Sequence, residues 1–150
     1  MAGNHPRNTI REAIENTLVS ANFIDSSKII TGGMYSTLKA KLPNILVYLA
    51  DENITNLYNN QPMNRYGRAL NVYIVISTNN TDRVSAIIEN EDLARSCEEA
   101  LLKPDSDVIS PLITYINLAG YEVSEPREGS PVFKTQLIFT VNYNDKFLEG

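Results

Sequence analysis

A chain of 150 residues with 43% apolar and 21% charged side chains has the size and composition of one globular domain with a core of its own. Its net charge of −5 argues against a general binder of nucleic acid or anionic membrane, which needs a basic surface. A lone cysteine, Cys97, excludes an intrachain disulfide, a lone histidine leaves no zinc set, and no stretch approaches the roughly 20 apolar residues of a membrane span.

Residues 1–7 read as a loose tail without the apolar stretch of a signal peptide. Thr9 with Glu12 spells a capping box. Ile10, Ala13, Ile14, Thr17 and Leu18 then fall on one face of an amphipathic helix ending near Asn22. Phe23 to Ile30 is a connector or a short strand, and Gly32-Gly33 is a turn. Leu42 to Leu49 is an almost wholly apolar run, with Pro43 near its start where a missing N–H is tolerated. This run predicts a strand buried on both faces, at the centre of the sheet. Asp51 to Asn64 is rich in Asn and has no period, which predicts a long loop. Tyr58 and Met63 are large apolar groups for a loop; they either fold back on the core or meet a partner.

Arg65 to Ser77 is the clearest strand, with Leu70, Val72, Ile74 and Ile76 on one face and a mixed set on the other. Asn79-Asn80 turns the chain, and Thr81 or Asp82 caps a long helix running to about Leu102. Its apolar stripe is Val84, Ile87, Ile88, Ala94, Cys97 and Leu101, interrupted by Glu91. A second, shorter helix from Asp107 carries Val108, Ile109, Leu112, Ile113 and Ile116 and ends at Gly120. Tyr121-Glu122-Val123 begins a strand. Val132 to Tyr143 is the last strand, with 144–150 a loose end. The whole chain, 1–150, reads as a single α+β domain: a mixed, mainly antiparallel sheet of about four strands with helices packed on one face.

The search for chemistry finds little. His5 sits in the tail, away from any nucleophile. Cys97 lies on an apolar helix stripe and reads as a small hydrophobe. The carboxylates on the long helix read as its solvated face. Asp51 and Glu52, at the end of the apolar strand, stand apart from them. Arg65 and Arg68 pair with carboxylates, line an interface or meet a phosphate, the ion pair being the simplest reading. No catalytic residue, cofactor site or metal site is expected.

The order and spacing of these pieces carry a resemblance. They are the first amphipathic helix, Leu42-Pro43 leading into Val47-Tyr48-Leu49 with Glu52 after it, and the strand Leu70 to Ile76. The long helix with Cys97 to Leu101, Gly120-Tyr121-Glu122 and the closing strand Leu137 to Tyr143 complete the set. Over about residues 9–143 the chain resembles the tail terminator proteins, minor tail protein U type, of long-tailed bacteriophages. That resemblance implies a job without catalysis. Such proteins form a homo-hexameric ring on the head-proximal end of the tail tube, stop its polymerisation and present the head-docking surface. The implied partners are further copies of the chain, the tail tube protein and a head–tail connector or neck protein, with DNA only passing through and no membrane. The implied location is the virion tail, and the host cytoplasm during assembly. Tyr58, Met63, Tyr66 and Arg68, from the loop and the strand after it, are the expected ring or tube contacts. Two other readings stay open: another tail-completion or neck protein of similar fold, and a small ligand-binding or enzymatic α+β domain with a polar pocket near Asp51, Glu52 and Arg65.

Overall fold

The strand Arg65–Asn79 has a partner along its whole length on one side and along most of it on the other, and the sheet is organised around it. The computed structural model describes residues 6–31, 42–56, 65–79, 82–103, 113–124 and 132–146. In chain order these form α1 (Pro6–Ser20), a single 3-10 turn (Ser26–Lys28), β1 (Ile29–Thr31), β2 (Asn44–Asn56), β3 (Arg65–Asn79), α2 (Arg83–Leu102), β4 (Ile113–Ser124) and β5 (Val132–Lys146). The five strands make one sheet in the order β1-β2-β3-β5-β4. β1 is parallel to β2, and every other pairing is antiparallel. The α+β architecture is as expected, with β1 as a fifth, short strand.

Both helices lie on one face. There Ile10, Ile14 and Leu18 of α1 and Ala94, Cys97 and Leu101 of α2 join Ile45, Val47, Leu70, Val72, Ile74, Ile76, Leu137, Phe139 and Val141 in a continuous core. Burying each large aliphatic side chain contributes roughly 1.5–3 kcal/mol, so this face dominates the stability. α1 starts with Pro6, whose fixed φ and missing N–H suit a first helical position. The helix therefore begins before Thr9, which is not its cap, and Pro6 and Arg7 belong to it rather than to a tail. Asp82 caps α2: one carboxylate oxygen accepts from the Val84 N–H at 3.1 Å and the other from the Ser85 hydroxyl at 2.7 Å. At the other end of the chain, β5 continues through residues 144–146.

Four further expectations are corrected. The apolar run of β2 is second in the sheet, not central. Ile45 and Val47 are buried on the helix side and Leu46 on the other, so the run reports cover on both faces, which a non-central strand also has. β2 also continues to Asn56 through the Asn-rich stretch, because Glu52–Asn56 find partners in Tyr66–Leu70 that override the low strand propensity of Asn. On α2 the buried face is Ala86, Asn90, Ala94, Cys97, Ala100 and Leu101, while Val84 and Ile88 are exposed. The small side chains let the helix approach the sheet, and Asn90 takes an inward position that an apolar stripe would not give it.

The expected helix over Ile113 to Gly120 is the strand β4. Register shifts between Ile113 and Tyr115 and between Leu118 and Gly120 break the two-residue alternation. Core-side positions consequently fall at Ile113 and Ile116, three residues apart as on a helical face, before Leu118 resumes the two-residue alternation. Residues 104–112, including the proposed start at Asp107, lie outside the described residues.

Candidate interaction surfaces

Of the four expected contact residues, two, Tyr66 and Arg68, stand among the described residues, both in β3. Tyr58 and Met63 lie outside the described residues. Tyr66 stands in β3, opposite Asn56 of β2 and Asp145 of β5. Arg68 is opposite Ile54 and Tyr143.

The local geometry begins with a bulge. Leu49 pairs with Val72 and Glu52 with Leu70, so Ala50 and Asp51 together face Asn71. The extra residue brings Glu52, not Asp51, to the helix-covered face. Its side chain is 6% exposed, and that of Arg68 is 10% exposed. The Arg68 guanidinium donates to Glu52 Oε2 at 2.9 Å. Glu52 Oε1 accepts from the Tyr143 hydroxyl at 2.9 Å and from Arg7 of α1 at 3.2 Å. Arg7 also donates to the Ala50 carbonyl at 3.0 Å, so the first turn of α1 grips the bulge itself.

Burial alone would raise the Glu52 carboxyl. The hydrogen bonds from Arg68 and Tyr143 and the charges of Arg68 and Arg7 outweigh it and hold the group below its ordinary value. The Tyr143 hydroxyl is pushed up, by burial first and then by Glu52. This is an ionised carboxylate fixed by two guanidiniums and a phenol, a structural joint between α1, β2, β3 and β5. The ion-pair reading of Arg68 is the one its geometry satisfies. Arg7 and Tyr143 were not singled out in the sequence; the cue that points to them is the bulge, which turns Glu52 inward.

Cys97 is fully buried, and burial and then the nearby Glu98 push its thiol up to about 12. Among the described residues no group of three or more His, Cys, Asp or Glu side chains is placed to hold a metal. No described helix is long and apolar enough to cross a membrane.

Among the described residues, the sheet leaves two of its surfaces open to contact. The face of the sheet away from the helices carries Tyr48 against Tyr73, ring centroids 5.1 Å apart, and Asn71 accepting from the Thr140 hydroxyl at 3.3 Å. The second surface is the β4 edge, where Tyr115, Tyr121 and Val123 are 49%, 43% and 61% exposed.

No family model matches the chain, and no curated protein matches it. Among solved structures it is similar to one described as "Virion of native gene transfer agent (GTA) particle". The match covers 91% of this chain and 98% of that one, with a TM-score of 0.55 and 13% sequence identity. The likeness is one of fold.

Proposed function

We propose that this chain is a structural protein of a virion and, within that class, a tail terminator that acts without catalysis. The observation that carries the reading is the fold likeness to a chain of a virion particle, which runs over 91% of this chain and 98% of the other. A match of that extent relates two whole domains, not a shared fragment. The order and spacing of the sequence signposts supply the finer reading.

In this role copies of the chain close into a six-membered ring on the head-proximal end of a tail tube. One face of the ring matches the tube; the other does not, so growth stops there and a neck protein docks instead. A head-to-tail contact between identical subunits closes into such a ring when its rotation permits. The net charge of −5 suits a channel that DNA passes without being held. The protein would stand in the host cytoplasm during assembly and in the tail of the finished virion.

Native mass measurement across a range of concentrations, followed by addition of tube subunits, tests this. A six-subunit species that shortens or caps growing tubes is the expected result. A ring that leaves tube length unchanged but joins tails to heads would replace the terminator with a neck protein. A stable dimer with no effect on tubes would overturn the virion reading.

A further inference from the structure

The two edges of the sheet are unequal. β1 is an edge of three residues, whereas β4 is an edge of 12. Among the described residues nothing pairs with the outer side of β4. An edge of that length presents a row of backbone N–H and C=O groups that template another strand. The usual protections are thin: Ile113–Ser124 contains no lysine, arginine or proline, and Glu122 is its one charge. The exposed Tyr121 and Val123 add apolar area beside the open backbone.

Strand sense says which strand could meet it. β1 and β2 run together, β3 runs against them, β5 against β3, and β4 against β5. β4 therefore runs opposite to β1. Rotation about an axis near the strand direction preserves that sense, so β4 of one copy meets β1 of the next antiparallel, the slightly more stable pairing. Charge agrees at one end of the seam. On α2, Glu91 and Glu98 lie close enough to Tyr121 that, after burial, their charges raise its hydroxyl. Lys28 stands immediately before β1, while at the end of that strand the Glu15 carboxylate accepts from the Thr31 hydroxyl at 3.4 Å. β4 pairing with itself would instead bring two acidic flanks together.

We infer that the outer edge of β4 is the seam between copies, pairing antiparallel with the β1 edge of a second copy and setting Glu91, Glu98 and Glu122 on the side of Lys28. The inference rests on the ring reading above and adds the surfaces that close it. With only three residues in β1, the main-chain bonding is short, and the contact leans on Tyr121, Val123 and the opposed charges.

The test uses two full-length variants, Val123→Cys and Ser27→Cys, treated with a short bis-maleimide separately and mixed. Both positions are exposed, and the buried Cys97 thiol, pushed up to about 12, stays unreactive. A cross-linked dimer that forms only in the mixture is expected. Cross-linking of Val123→Cys to itself would overturn the seam in favour of a two-fold contact. A hexamer by native mass with no cross-link in the mixture would overturn the seam and leave the ring reading standing. A monomer at every concentration would also overturn the seam, with ring formation on the tube still to be measured on tubes. In a separate variant, Val123→Lys, the thermal midpoint should hold while self-association weakens about tenfold or more, because a lysine would then replace an apolar seam contact and face Lys28. Unchanged association would overturn the proposal.

Discussion

Two polar knots lie on the helix-covered side of the sheet, one neutral and one charged. Under α2, the Asn90 side-chain amide donates to the Ile76 and Phe133 carbonyls at 3.1 and 3.2 Å and to the Thr78 hydroxyl at 3.2 Å. The Thr135 hydroxyl donates to Asn90 Oδ1, and that of Thr78 to the Ala86 carbonyl at 3.0 Å. At the far end of β3, Glu52 gathers Arg68, Arg7 and Tyr143. The neutral knot fixes the height and rotation of α2 on the sheet with groups that do not titrate. The charged knot joins four elements through one ionised carboxylate, so its strength depends on pH. Burial alone does not separate the two; the chemistry of the groups does.

The comparison breaks most sharply at Arg68. Arg68→Met leaves Glu52 buried without its more deeply buried guanidinium partner and should cost about 3 kcal/mol or more in urea unfolding. Asn90→Ala removes four hydrogen bonds, leaving the Thr135 hydroxyl without its acceptor, and should cost about 2 kcal/mol, the same at every pH. Tyr143→Phe removes one charge-assisted bond, about 1.5 kcal/mol, and raises the Glu52 carboxyl, so its deficit should be full near neutral pH and shrink in acid, where Glu52 is protonated in both proteins.

The pH dependence itself has a definite sign. Glu52 is held below its ordinary value, so its contribution is full above about pH 4.3 and fades as pH falls through the lower folded value. Asp82, held down by the Ser85 hydroxyl and the Val84 N–H, acts in the same direction. The difference between wild type and Glu52→Gln, followed from neutral pH into acid, isolates the first contribution; parallel curves would remove Glu52 from the acid response. The smallest effect belongs to Ile88→Ser on the exposed side of α2, within about 0.5 kcal/mol.

The α+β class was legible because β3 and β5 alternate cleanly, with Leu70 to Ile76 and Phe133 to Tyr143 each placing every second side chain in the core. β4 was not, because its first register shift, between Ile113 and Tyr115, gives Ile113 and Ile116 helical spacing. The stripe of α2 misled for a different reason. A polar residue is excluded from an apolar stripe by any periodicity argument, yet Asn90 is buried, because sheet carbonyls await it. At the charged knot, Glu52 and Arg68 stood out as a carboxylate and an arginine flanking a turn of chain. Arg7 and Tyr143 lie 45 and 91 residues from Glu52, and no local pattern joins them.

The bulge in β2 also sets how the strand tolerates changes of length. Between Leu49 and Glu52 the strand holds one residue more than its ladder with β3 requires. Deleting Asp51 leaves Glu52 opposite Leu70 and Ile54 opposite Arg68, so every ladder partner beyond that point is kept. Inserting a residue there turns Glu52 to the opposite face and strands Arg68. At this point the chain can shorten by one residue and keep its fold, but it cannot lengthen by one without dismantling the joint.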